Sequence, residues 1–222
     1  DTTKITVPTG AGISAPSGVP TFRGGADSLW ENMRPEELAT PQAFNADPEK
    51  VWRWYDWRRS LLEPCKPNRA HYALVELENI ANNVTIITQN VDGLHQLAGS
   101  KNLMEFHGSI WVTRCLDCKK ETVNRSVSLP IIPRCECGGM LRPGVVWFGE
   151  GIDPQIMQAS VEASSDCNLF LVIGTSGLVH PAAGMAQIAK EAGATVVEFN
   201  LEPSGVSNHI DLFVAGSADE TV

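Results

Sequence analysis

The sequence predicts an α/β fold: a parallel sheet with helices on both faces, carrying a smaller inserted domain. Three observations predict it. Five short runs, Ile5–Val7, Val84–Ile87, Leu103–Phe106, Leu169–Ile173 and Val196–Phe199, are apolar on consecutive rather than alternate residues, as in strands buried on both faces of a parallel sheet. Each run gives way at once to small or polar residues, and ligands of such sheets collect at the carboxyl ends of the strands. Residues 111–142 differ, holding prolines, scattered charges and four of the six cysteines with little periodicity. That stretch reads as an insert.

The elements follow in order. The run Ile5–Val7 leads into Thr9-Gly10-Ala11-Gly12-Ile13-Ser14. Thr40-Pro41 and Asp47-Pro48 each read as an N-cap with proline at the first helical position. The second opens a helix through Val51, Trp52, Tyr55, Leu61 and Leu62, ending near Pro64. Val84–Ile87 leads into Thr88-Gln89-Asn90-Val91-Asp92, and Leu103–Phe106 into His107-Gly108-Ser109. Leu169–Ile173 leads into Gly174-Thr175-Ser176. The Ala-rich stretch Pro181–Ala192 predicts a helix with Gly193 as its C-cap, and Val196–Phe199 ends at Asn200.

Composition excludes several classes. The chain has 222 residues with a formal charge of −9, which argues against broad nucleic-acid binding, since that needs a basic face. An apolar fraction of 43% with 19% charged residues supports a packed core rather than disorder. No apolar run approaches the roughly 20 residues of a membrane span. No signal peptide precedes Asp1, and the chain lacks an initiator Met. Paired thiols around short loops suggest a reduced compartment and a metal rather than disulfides.

The chemistry-bearing residues cluster at the strand ends. Cys115-x-x-Cys118 and Cys135-x-Cys137 offer four thiolates from two tight turns, the donor set of a closed structural zinc site. Gly138-Gly139 follow the tighter pair and let the backbone curl back. Gly10-Ala11-Gly12-Ile13-Ser14-Ala15 is a G-x-G-x-x-A pattern that suits phosphate binding. The carboxylate expected about 20 residues further on falls near Asp27 or Glu31, not at a strand end, so the dehydrogenase fingerprint is incomplete. Gln89, Asn90 and Asp92 need a polar ligand or one another. His107, at a strand terminus, suits a general base at neutral pH. His95 and His180 read as ordinary hydrogen-bonded histidines.

Taken jointly, these motifs, with Pro20-Thr21-Phe22-Arg23 and Val145-Val146-Trp147-Phe148-Gly149-Glu150, resemble the sirtuin family of NAD-dependent protein lysine deacylases over essentially the whole chain. The resemblance implies a Rossmann-like NAD-binding domain from 1–30, 84–110 and 143–222, a helical insert of the small domain at 31–83, and a zinc-ribbon module at 111–142. It implies that Gly10, Ala11, Gly12 and Arg23 contact the NAD pyrophosphate, with Phe22 near the nicotinamide ribose. Gln89 would touch that ribose, while Asn90 and Asp92 hold the carboxamide and a water. Gly174, Thr175, Ser176, Asn200 and Leu201 would take the adenosine side, with Gly216 and Ser217 near the adenine. Val145–Glu150, flanked by Gly177, Leu178 and Val179, would bind acyl-lysine peptides and proteins by strand addition. In the implied reaction the acyl amide oxygen attacks the anomeric carbon of the nicotinamide ribose and nicotinamide leaves. His107 then deprotonates a ribose hydroxyl that takes up the acyl carbon, and water releases lysine and O-acyl-ADP-ribose.

Tyr55 and Arg58 stand three apart and share a helix face. The resemblance is to the subgroup whose Tyr-x-x-Arg pair receives malonyl, succinyl and glutaryl carboxylates, through a guanidinium fork and a phenol. Deacetylation is expected to remain. The bland alternative is a surface Tyr/Arg pair on an amphipathic helix; against it, Arg59 can take the outward role and leave Arg58 inside. Two departures stand out: Pro8 replaces the usual aliphatic before the glycine turn, and the second cysteine pair is C-x-C. Other readings are a deacetylase without acidic-acyl preference, a mono-ADP-ribosyltransferase, a zinc-ribbon binding module and an ordinary NAD oxidoreductase. The expectation is a monomeric, cytoplasmic catalytic core without regulatory extensions and without nucleic-acid or membrane partners; a mitochondrial protein with its leader removed is the alternative.

Overall fold

The computed structural model describes residues 3–21 and 34–222. From the amino end, β1 (Lys4–Thr9) runs into the single turn α1 (Ala11–Ser14), followed by α2 (Pro41–Ala46), α3 (Pro48–Leu62) and α4 (Arg69–Ile80). Next come β2 (Asn83–Thr88), α5 (Leu94–Ala98), β3 (Leu103–Glu105), β4 (Gly108–Cys115), β5 (Glu121–Val123) and β6 (Leu141–Val145). The chain closes with α6 (Pro154–Ser165), β7 (Leu169–Ile173), α7 (Gly184–Glu191), β8 (Thr195–Asn200), β9 (Leu212–Ala215) and α8 (Ala218–Thr221).

Six strands form one sheet in the order β3-β2-β1-β7-β8-β9, and every pairing in it is parallel. All five predicted runs contribute a strand to it, the third ending at Glu105, one residue short of Phe106. Both faces are covered, which is why the runs are apolar on consecutive residues: Ile86 packs with Ala70 and Leu74 of α4, whereas its neighbour Ile87 packs with the cluster holding Met185 and Ala189 of α7. The strand order reverses between β1 and β7, and in such sheets a crevice opens there at the carboxyl ends. Pro8 lies inside central β1. Gly10, two residues on, donates its N–H toward β7, so the donor missing at Pro8 is on that side. The β1–β7 pairing accordingly skips Val7 and Pro8 and resumes at Thr9↔Ile173 in the same register as Thr6↔Phe170.

Both predicted proline caps form. Thr40 Oγ1 accepts from the Ala43 N–H at 3.1 Å, and Asp47 Oδ1 accepts from Lys50 at 2.9 Å. The helix predicted over Pro181–Ala192 is shorter, Gly184–Glu191, because Val179 to Ala183 form a turn closed by the Ala183 N–H on Val179 O. Gly193 just beyond it takes a left-handed φ of 93°. The remaining strands make a three-stranded antiparallel sheet, β5-β4-β6. It extends three residues beyond each end of 111–142. A separate core of Phe44, Trp52, Trp54, Tyr55, Trp111 and Trp147 joins α2 and α3 to this sheet.

Candidate active site

The turns after β1 and β7 touch. A methyl group on Gly12 would lie 2.6 Å from Gly174 Cα, and one on Gly10 would lie 2.8 Å from the Gly174 oxygen. Gly174 itself has a φ of +59° and faces the Ile13 nitrogen. The glycines thus serve backbone–backbone approach, sealed by Gly12 N–H donating to Gly174 O at 2.7 Å. Beyond them opens a cleft of about 1390 Å³, larger than the 300–1,000 Å³ typical of drug-sized ligands. Its wall includes Gly10, Ala11 and Gly12, Gln89 and Asn90, His107, Gly174 to Ser176, Asn200 and Leu201, and Gly216 and Ser217. Phe22 and Arg23 lie outside the described residues.

Polar side chains hold the strand ends in register. Asn90 Nδ2 donates to Gly10 O at 3.0 Å and to Ser14 Oγ at 3.1 Å. Gln89 Nε2 donates to Thr175 Oγ1 at 3.2 Å, and Asn200 Nδ2 to Thr175 O at 2.9 Å. His107 Nδ1 lies 3.1 Å from the Gln89 oxygen. A carbonyl only accepts, so Nδ1 carries the hydrogen and Nε2 presents its lone pair. Burial lowers the His107 pKa, opposed by the Gln89 carbonyl.

Asp92 does not line the cleft; it sits behind Asn90, where its Oδ1 accepts from the Leu94 N–H at 2.8 Å. Burial raises its pKa, opposed by the Leu94 N–H, the Ser14 hydroxyl and the charge of Arg58. Two further buried histidines, one unremarked in the sequence, complete the network. His71 Nδ1 accepts from the Asn68 N–H, so its Nε2 donates toward Ser14 Oγ, 3.5 Å away. His95 Nε2 meets Thr9 Oγ1 at 3.0 Å. The Thr9 hydroxyl is spent on Thr88, so Nε2 is the donor and His95 Nδ1 is left buried without a partner. The His71 and His95 rings meet edge to face, 4.9 Å apart.

Tyr55 and Arg58 are both buried in the cleft wall, which removes the surface-pair alternative. Burial pushes the Tyr55 phenol up to about 12, against the charge of Arg58 and the bond from Trp147. Burial also lowers the Arg58 pKa, while Tyr55 and Asp92 oppose it. Arg59 is a correction: it points inward, fully buried. Its Nε donates to Ile110 O at 2.9 Å and its Nη1 to Ser126 O at 3.1 Å.

The segment Val145–Glu150 lines the cleft, but only Val145 is strand. The N–H groups of Val146, Trp147 and Phe148 are already committed to His107 O, Glu150 Oε2 and Ala39 O. Two carbonyls are engaged as well, Val145 O by Arg142 Nη2 at 2.9 Å and Trp147 O by the Glu150 N–H at 3.0 Å. Trp147 is buried, and Glu150 forms a two-point ion pair with Arg142 at 2.5 and 2.9 Å. Phe148, Leu178 and Val179 reach the rim. Gly177 does not; its backbone is left-handed (φ +65°), and a methyl group there would sit 2.8 Å from the Val206 nitrogen.

Cys115, Cys118, Cys135 and Cys137 form a cluster whose sulfurs all lie within 4.8 Å of one another. The Cys115–Cys137 and Cys118–Cys135 pairs are 3.5 and 3.7 Å apart. A zinc tetrahedron with bonds of about 2.3 Å has edges of about 3.8 Å, so the donors fit. Gly139 is required, since a methyl group there would sit 2.7 Å from Cys115 Sγ.

A crevice at the strand-order reversal, walled by glycine turns and strand-end amides, defines a dinucleotide-binding α/β protein stapled by a metal ribbon. The Sir2 family model matches residues 10–181. The chain belongs to the Sir2 family, the sirtuins. It is 52% identical to NAD-dependent protein deacylase 2 of Pyrobaculum aerophilum, over 96% of this chain and 86% of that protein. It is 50% identical to the NAD-dependent protein deacylase of Aquifex aeolicus, over 94% and 88%. Among solved structures it matches a Sir2 homologue–NAD complex (TM-score 0.91, 44% identity, 98% of this chain and 85% of that one). It also matches a Sir2–p53 peptide–NAD+ complex (TM-score 0.87, 32% identity, 98% and 89%).

Proposed function

We propose that this chain removes acyl groups from protein lysines at the expense of NAD, and that its pocket takes succinyl and malonyl groups as well as acetyl. The observation that supports the reaction most strongly is the His107 tautomer: an imidazole with its basic Nε2 free, beside the Asn90 and Gln89 strand end. The relatives' names and the NAD complex of a homologue support the co-substrate. NAD would lie across the β1–β7 crevice. There the Gly10–Gly12 turn and Gly174 would meet the pyrophosphate. Thr175, Ser176, Asn200, Leu201, Gly216 and Ser217 would take the adenosine half. Asn90 would hold the nicotinamide end, Asp92 supporting it from behind, and Gln89 the adjoining ribose. NAD supplies the electrophilic ribose carbon; His107 holds and moves the proton.

The acyl-lysine would enter between Val145–Glu150 and Leu178–Val179, as a strand-adding peptide does. Its acyl group would reach Tyr55 and Arg58. A guanidinium fork and a phenol side by side in the cleft wall match the geometry of a carboxylate, which favours acidic acyl groups. The domain division 1–30/84–110/143–222, 31–83 and 111–142 and a monomeric state belong to the same reading. The test is a panel of acetyl-, malonyl- and succinyl-lysine peptides with and without NAD, read by mass spectrometry. Free lysine with O-acyl-ADP-ribose supports the proposal; an ADP-ribosylated protein in its place points to a transferase. Acetyl-lysine as sole substrate removes the acidic-acyl part.

A further inference from the structure

Trp147 lies where the acyl pocket meets the peptide segment, and its indole is held from several sides. The Arg142 guanidinium carbon stacks 3.6 Å from its ring centroid, and Phe44 lies 5.2 Å away. The backbone N–H of Trp147 is tied to Glu150 Oε2 at 2.8 Å. From that fixed position, Nε1 donates to Tyr55 Oη at 2.9 Å. A phenol has one hydrogen to give and lone pairs to receive. With a lone pair engaged by the indole, the phenol hydrogen is directed elsewhere, and no acceptor for it is found among the described residues. Tyr55 borders the cleft beside Arg58.

We propose that Trp147 is a positioning residue for acyl selection: its indole N–H locks Tyr55 as a donor, so that the pocket floor presents hydrogen-bond donors to the acyl terminus. The idea rests on the acidic-acyl reading above and deepens it. A carboxylate only accepts and can take the phenol hydrogen, whereas an acetyl methyl leaves it unanswered. A site built to hydrogen-bond one substrate group discriminates against substrates lacking it.

Trp147→Phe keeps an aromatic ring against Phe44 and Arg142 but deletes the N–H. The measurement is kcat/KM for succinyl- and acetyl-lysine forms of one peptide, in the wild type, Trp147→Phe, Tyr55→Phe and the double variant. Losing one oriented donor should lower the succinyl-to-acetyl ratio about 5- to 30-fold, mainly through a raised KM for the succinyl peptide. The double variant should fall no further than Tyr55→Phe. A merely structural role lowers both substrates in proportion and leaves the ratio intact, which overturns the proposal. If the wild type desuccinylates and Arg58→Met abolishes that, an unchanged ratio in Trp147→Phe overturns this proposal alone. A wild type inert toward succinyl-lysine overturns the acidic-acyl reading and this proposal together. Should Trp147→Phe lose its fold by near-ultraviolet circular dichroism, Tyr55→Phe decides, and an unchanged ratio there is fatal.

Discussion

His107 Nδ1 lies 3.1 Å from the carbonyl oxygen of Gln89, so the residue that opens one strand-end motif sets the tautomer of the imidazole in the next. A histidine so fixed presents Nε2 as a base without first having to lose a proton from it. His107→Ala should therefore cost about 10²–10⁴-fold in deacylation. NAD affinity by calorimetry should stay within a few-fold of wild type, since the crevice turns are untouched. Wild-type-like turnover would remove the base assignment.

The same imidazole makes a pH prediction. Burial lowers its pKa, and only the neutral form can accept a proton. The profile of kcat/KM should be flat from neutral pH downward until an acid limb whose apparent pKa lies below the ordinary value of about 6.5. An acid limb centred above that value would contradict the buried, carbonyl-bonded geometry.

Arg58 and Tyr55 carry the acyl-group prediction. Arg58→Met preserves length and apolar volume but deletes the fork. Desuccinylation should fall by about 10²-fold or more, on the scale of an uncompensated charge-assisted pair, while deacetylation falls far less. The two activities are read on matched peptides. Equal losses would leave Arg58 as a packing residue.

Much of this arrangement is legible in the sequence because the signals are local. Consecutive apolar runs mark the buried strands, proline caps mark α2 and α3, and thiol spacing marks the ribbon. Asp153-Pro154 repeats the signature of Asp47-Pro48 and does cap α6, with Asp153 Oδ1 accepting from Gln155 at 2.8 Å, yet no apolar run draws attention to it. The short, partly exposed edge strand β9 has a weak signal of the same kind. What spacing cannot carry is contact between distant segments. Gly10 and Gly12 read as phosphate glycines, but their immediate need is the Gly174 backbone. The inward turn of Arg59, the Trp147–Tyr55 bond and the role of His71 depend on partners dozens of residues away.

Zinc removal should act beyond the ribbon. Strand β4 carries Cys115 at one end, and within it Trp111 Nε1 donates to Asp92 O at 2.6 Å while Ile110 O receives Arg59. Structural zinc contributes folding energy outright, so chelation or Cys118→Ser should release about one zinc per chain and lower Tm by more than about 10 °C. Deacylation should be lost in parallel, read by metal analysis and scanning calorimetry. A metal-free chain of unchanged Tm would show that the four thiols do not staple the fold.

His71 and His95 set the stability prediction. Burial lowers the His71 pKa to about 4, and burial with the neighbouring His71 charge lowers that of His95 to about 3. In the unfolded chain both titrate near 6.5. Between those values the unfolded state binds protons that the native state refuses, so unfolding free energy must fall as pH falls. The slope is up to about 1.4 kcal/mol per pH unit for each histidine, starting just above pH 6.5 and persisting to about pH 4. The raised pKa of buried Asp92 works in the opposite direction, so the wild-type curve is a sum and the variant comparison isolates the histidine. Urea unfolding at pH 7, 6 and 5 should show wild-type stability dropping more steeply than that of His71→Asn. The variant begins less stable, having lost the bond toward Ser14, but it lacks one proton-binding site in the unfolded chain. Parallel curves for the two proteins would mean that His71 is protonated in the fold, and its Nδ1 could then not accept from the Asn68 N–H.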